Sequence, residues 1–208
     1  MVTDEPAASD PHEATAPYRI LFVCTGNICR SPFMERLMRA RLDAKLGTSA
    51  GRIQLASAGT WAMVGEPMAE AAATSLVRYG GDPSGFVARS LDAEEINAAD
   101  LVLTATRDHR SMVVTTVPRA AGKVATLREF ARLLSGVTIA KIVPAGADPA
   151  NQFRAIAAAA FAQRGVVPAV DPVEDDIPDP YGGPDAGYQL AAELIDEALR
   201  VPLFLVAA

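Results

Sequence analysis

One short stretch limits the fold more than any other. YRILFVC (residues 18–24) is an apolar run rich in β-formers, and SPFMERLMRARLDAKLG (31–47) carries apolar residues at helical spacing up to a terminating Gly47. Strand, tight loop and helix therefore follow one another within thirty residues. The alternation continues with predicted strands over 52–59, 99–106 and 123–127. Predicted helices cover 66–81, a segment from Arg107, 128–134, and a closing segment over 184–206. Strands separated by helices point to a parallel sheet with right-handed crossovers, so the expectation is a three-layer α/β fold with a four-stranded parallel sheet flanked by helices.

At 208 residues the chain is long enough for one well-buried core. Residues 1–17 are acidic and proline-containing, without the basic and apolar regions of an export signal, and read as a disordered leader. Residues 18–208 read as a single domain, with 136–176 as an insertion carrying an alanine-rich helix; a surface excursion is the simpler expectation for it, a cap over the site the alternative. No apolar run approaches the roughly 20 residues of a membrane helix, and a net charge of -6 gives no electrostatic case for nucleic acid or an anionic membrane. A cytoplasmic protein follows, whose two cysteines are reactive or buried rather than disulfide-forming. Two cysteines and the distant His12 and His109 do not make a zinc site, so neither metal nor cofactor is expected.

Both cysteines fall in the loop Cys24-Thr25-Gly26-Asn27-Ile28-Cys29-Arg30-Ser31. Ser31-Pro32 is suitable N-cap and N1 chemistry, so the helix is expected to start where the loop ends. A loop wrapped around a helix N-terminus presents unpaired N–H groups and a positive dipole end to one small volume, which makes it an oxyanion site. Cys24, at the strand end and near Arg30, stands in surroundings that favour the thiolate. Arg30 offers a planar fork for two oxygens of a tetraoxo anion, with Cys24 under the central atom. Gly26 and Asn27 suit positive φ, and Ser31 is placed to donate to the thiolate. A nucleotide-binding loop fits less well, because the Gly-Lys-Ser/Thr ending is missing.

VCTGNICRSP resembles the V-C-x-G-N-x-C-R-S-P loop of the low-molecular-weight protein-tyrosine phosphatases, without a gap. SAGTW, VGEP, ARSL, ADLVLTATRDH and the late DPYGG (179–183) extend the resemblance over roughly 18–200. The resemblance implies Cys24 as nucleophile, Arg30 as phosphate clamp and Asp179 as general acid, with Thr25 to Ser31 forming the phosphate-binding loop after the first strand. It implies a phosphotyrosine protein or aryl phosphate as substrate and inorganic phosphate as product. On its own EDDIPDPYGG reads as a solvated turn-rich loop. Yet a phosphocysteine route needs an acid for the leaving group, and His12 and an exposed helical His109, given no role, are poor alternatives. Asp175 and Asp176 are expected only to keep that loop solvated.

Trp61 either stacks on a substrate ring or packs at the rim, and Tyr181 stands where the family carries a pocket aromatic. Gly182 replaces the second tyrosine of many eukaryotic members, which removes phosphorylation at that position. Cys29 is either a packing residue or a redox partner of Cys24. Two other functions compete with the phosphatase. An arsenate reductase of this fold passes electrons through cysteines outside the loop, and this chain has none, so it would need an external thiol. A non-catalytic phosphate-binding module is opposed by the presence of both Cys24 and Asp179.

Overall fold

The computed structural model describes residues 16–135, 137 and 147–206. The expected leader lies almost wholly outside these residues, as does much of 136–146. Four strands, β1 (Tyr18–Cys24), β2 (Ile53–Gly59), β3 (Leu101–Thr104) and β4 (Val124–Thr126), form one parallel sheet in the order β2-β1-β3-β4. The register runs Tyr18 opposite Ile53 to Cys24 opposite Gly59, and Ile20 opposite Leu101 to Val23 opposite Thr104.

Alternation along β1 divides the core. Ile20, Phe22 and Cys24 face one cluster with α1 (Arg30–Leu46), α2 (Glu70–Arg78), α5 (Leu127–Ser135), α6 (Pro149–Ala162) and α7 (Asp185–Leu205). Leu21 and Val23 face a smaller cluster with α3 (Ala93–Ala98) and α4 (Arg107–Thr116). Both faces of β1 are covered, which is why its sequence is apolar almost throughout.

Several boundaries move for local reasons. The helix expected over 66–81 occupies Glu70–Arg78, because the residues before it bond back to the loops: Ala69 N donates to the Ile28 carbonyl at 2.8 Å and Ala88 N to that of Glu66 at 2.8 Å. Asp92 caps α3 by accepting from Glu95 N at 2.8 Å, making a short helix that no apolar period announced. Helix α1 begins at Arg30, one residue earlier than expected, and its N-cap position is Cys29, which makes no side-chain cap. Ser31 is therefore inside the helix, and its hydroxyl is free for another task.

Helix α6 of the insertion is a core element rather than a surface excursion, whereas the turn after it, with Val166, is exposed. Asp148 caps α6, Pro149 takes its first position, and Phe153, Ile156 and Ala160 are fully buried. Phe153 stacks on Tyr18 at 5.9 Å. Phe153 and Ile156 each contribute about 1.5–3 kcal/mol through burial, enough to hold the helix in place. Tyr18 starts β1 whereas Cys24 ends it, so α6 packs at the end of the sheet away from the loop and does not cap the site.

Candidate active site

Chain direction fixes where the site lies. After β1 the sheet grows first to β2 on one side and then to β3 on the other, so the loops leaving β1 and β3 open a crevice at the carboxyl ends of the strands. The loop 24–31 fills that crevice. Asn27 has φ 55° and is the only non-glycine residue at positive φ among those described, whereas Gly26 is not left-handed. The expectation for Gly26 was thus wrong and that for Asn27 right. Glycine is needed instead at Gly59: a Cβ there would stand 2.4 Å from the Thr25 carbonyl oxygen, so only glycine lets the end of β2 lie against the loop.

A cavity of about 170 Å³ is lined by Cys24, Thr25, Gly26, Ile28, Cys29, Arg30, Trp61, Met63, Asp179 and Tyr181. Larger clefts of about 450 Å³ along the edge of β2 and about 470 Å³ between α2 and α7 contain no thiol. The small cavity joins residues 155 positions apart in sequence, Cys24 and Asp179. Trp61 (75% exposed) and Tyr181 (58% exposed) stand at its rim, free of core packing. Met63 was not anticipated; it follows Trp61 by two residues in an irregular loop, where no periodicity marks it.

Behind the cavity a hydrogen-bond chain sets the thiol's surroundings. The Asn27 Nδ2 group donates to Ser31 Oγ (2.9 Å) and to Ser57 Oγ (3.0 Å), and its Oδ1 accepts from Arg89 N (2.9 Å). Ser57 Oγ donates to Glu35 at 2.6 Å. Ser31 Oγ, already accepting from Asn27, keeps its one hydrogen for Cys24 Sγ at 3.0 Å, the Ala58 carbonyl at 3.5 Å being a weaker acceptor. Burial raises the Glu35 carboxyl pKa and the Ser57 bond opposes that shift. Glu35 and Ser57 escaped the sequence reading because their meeting depends on β2 lying beside α1.

Arg30 is 4% exposed. Its Nη1 donates to the Ile177 carbonyl (3.1 Å), and its Nη2 donates to Thr25 Oγ1 (3.3 Å) and pairs with Asp179 Oδ2 (2.6 Å). Nε is buried without a hydrogen-bond partner. The edge formed by Nε and Nη2 is thus the one available to an anion, and Asp179 occupies half of it. Asp179 Oδ1 accepts from Tyr181 N at 3.2 Å, a turn that aims the carboxyl.

The loop carrying Asp179 is anchored by the two acids expected only to solvate it. Asp175 is buried and forms a two-point pair with Arg132 (3.1 and 2.8 Å), and Asp176 accepts from Arg107 N at 2.8 Å. Ile177 N then donates to the Ala105 carbonyl at 2.8 Å. His109 is likewise not exposed: it is 6% accessible, with Nε2 2.9 Å from Thr25 Oγ1 and Nδ1 2.6 Å from Thr106 Oγ1. Burial, then the Arg30 charge, lowers its pKa to about 4. Cys29, also buried, is pushed up to about 12, first by burial and then by Cys24 and Asp179.

A thiol at the floor of a helix-capping loop, with a buried guanidinium beside it and a carboxylate at the mouth, on a parallel sheet covered on both faces, defines an anion-binding site with a built-in nucleophile. The chain belongs to the low molecular weight phosphotyrosine protein phosphatase family, whose model matches residues 19–140. The low molecular weight protein-tyrosine-phosphatase Etp of Escherichia coli is 38% identical over 104 residues, 50% of this chain and 65% of that protein, so the match spans just under two thirds of its length. A protein-arginine-phosphatase of Geobacillus stearothermophilus is 35% identical over 114 residues, 55% of this chain and 72% of that protein. Among solved structures, the low molecular weight protein tyrosine phosphatase from T. tengcongensis superposes with a TM-score of 0.63 at 30% identity, covering 88% of this chain and 95% of that one.

Proposed function

We propose that this protein is a metal-independent phosphatase that hydrolyses phosphotyrosine in proteins through a phosphocysteine intermediate. The observation that carries the reading is the Cys24–Arg30–Asp179 arrangement: a sulfur with a hydroxyl donor at 3.0 Å, and a guanidinium edge shared with a carboxylate at 2.6 Å. Sγ of Cys24 attacks phosphorus as the bond from phosphorus to the phenolic oxygen breaks, and protonated Asp179 delivers its proton to that oxygen. Water then attacks the phosphocysteine, Asp179 takes its proton, the S–P bond breaks, and inorganic phosphate leaves. Arg30 and the loop amides hold the equatorial oxygens in both steps.

Ile28, Met63, Trp61 and Tyr181 give the cavity apolar walls, which supports an aromatic leaving group. The arsenate reductase alternative needs a thiol supplied from outside, since both cysteines lie in the loop. The test is turnover of phosphotyrosine and phosphoarginine peptides by the purified protein and by Cys24→Ser in the presence of chelator. Phosphotyrosine hydrolysis lost in Cys24→Ser supports the reading. Equal rates for the two proteins refute the mechanism, and exclusive phosphoarginine hydrolysis refutes the substrate.

A further inference from the structure

Arg30 can only clamp an anion if its plane stays fixed while Asp179 moves away to serve as acid. Nη1 is held throughout by the Ile177 carbonyl. On Nη2, the Asp179 partner is the one given up, which leaves Thr25 Oγ1 as the fixed contact. The Thr25 backbone is pinned, its carbonyl accepting from Trp61 N at 3.0 Å, but this does not choose among the staggered positions of its hydroxyl and methyl. His109 makes that choice.

The imidazole stands between two hydroxyls, with Thr106 Oγ1 on Nδ1 and Thr25 Oγ1 on Nε2. Helix α4 brings it there: Thr106 caps the helix by accepting from His109 N at 3.4 Å, and β3, which feeds α4, lies directly beside β1. A neutral imidazole donates from one nitrogen and accepts at the other, so it satisfies one hydrogen and one lone pair across the two threonines. In either tautomer Thr25 Oγ1 retains a lone pair for Arg30. We propose that His109 is a positioning residue of the phosphate site, fixing the Thr25 hydroxyl and through it the Nη2 end of Arg30. This rests on the phosphatase reading for its consequence in turnover, but anion binding by Arg30 is a separate consequence.

The test compares His109→Phe, His109→Gln, His109→Asn, Thr25→Val and the double variant His109→Phe/Thr25→Val in the full chain. For each, the affinity for inorganic phosphate is measured by calorimetry, kcat/KM on an aryl phosphate by spectrophotometry, and folding by thermal melting. Loss of a fixed hydrogen bond to the guanidinium should weaken phosphate binding and kcat/KM about tenfold in His109→Phe and in Thr25→Val. The double variant should be no worse than either single one, because both remove the same contact. Gln reaches the Nε2 position and should restore most of the loss, whereas Asn reaches only the Nδ1 position and should not. A merely structural role at the start of α4 predicts the reverse order of rescue, since Asn keeps the contact to Thr106. Unchanged phosphate affinity in folded His109→Phe, additive losses in the double variant, or rescue by Asn alone would each overturn the proposal. If the wild-type protein binds phosphate without hydrolysing the ester, the phosphatase reading fails while the phosphate affinities still decide the role of His109.

Discussion

Arg30 Nη2 and Asp179 Oδ2 lie 2.6 Å apart, so the clamp and the proposed acid are ion-paired to each other in the resting site. Substrate phosphate competes with Asp179 for the guanidinium, and the displaced carboxyl is then beside the leaving oxygen. Asp179→Asn should therefore slow poor leaving groups, such as a phosphotyrosine peptide, at least a hundredfold, and activated aryl esters about tenfold or less. A plot of rate against leaving-group pKa checks this. Equal losses for both would assign the acid role elsewhere.

Replacement of Arg30 by Lys keeps the charge and loses the fork. Phosphate affinity and kcat/KM should each fall at least a hundredfold. Stability should also fall, by about 1–2 kcal/mol, because the buried Ile177 carbonyl loses its donor. Chemical denaturation measured beside a phosphate titration separates the two effects.

Ser31→Ala tests the hydroxyl facing the thiol. Since Ser31 is not a helix cap, the usual capping loss of about 1 kcal/mol should be missing from its melting curve. The rate of Cys24 alkylation by iodoacetamide at neutral pH should fall about tenfold, with a similar loss in kcat/KM. A stability loss without a change in alkylation would return Ser31 to a structural role.

Oxidation distinguishes the two thiols. Peroxide transfers oxygen to the Cys24 thiolate to give a sulfenic acid, and attack by Cys29 sulfur on it forms a disulfide and releases water. A thiol pushed up to about 12 is a slow resolving partner, so the bond should accumulate at low peroxide and lose to over-oxidation at high peroxide. Peptide mass spectrometry should find the Cys24–Cys29 bond, and dithiothreitol should restore activity. Cys29→Ser should keep activity and lose this recovery; full recovery would make Cys29 a packing residue.

Acid stability follows from His109. Its folded pKa of about 4 lies below the ordinary 6.5, so the unfolded chain binds a proton that the folded chain refuses. Its contribution is complete above pH 6.5 and is lost as pH falls from there toward 4, by about 3 kcal/mol in all. Urea midpoints from pH 7 to pH 4 should therefore decline less steeply in His109→Gln than in wild type.

What the sequence disclosed was what local order controls. The loop, its flanking strand and helix, and the four-strand alternation are written in contiguous residues, and VCTGNICRSP carries its own chemistry. What it concealed depended on chain segments meeting across the fold. Asp175 looks like any solvated acid until Arg132 on α5 is brought to it. His109 looks like a polar residue on a helix until the β1 and β3 loops enclose it. Ser31 resembles a cap because Ser-Pro is good cap chemistry, but the thiol, Asn27 and the early start of α1 claim its hydroxyl first. Alanine-rich α6 looked peripheral, since its few large residues reveal nothing about the stack of Phe153 on Tyr18.

The anchors at Asp175 and Asp176 have a consequence for how this chain tolerates change. They clip the polypeptide to Arg132 and Arg107 immediately before it enters the site, and Ile177 is tied to Ala105 in the next step. The position of Asp179 is thus counted from this clip and not from α6 or from whatever precedes it. Additions or deletions in the exposed turn between α6 and the clip, around Val166, are absorbed before they reach the carboxyl, so that turn is a splice point, where a sensor or targeting element can be inserted without disturbing α6 or retuning the acid.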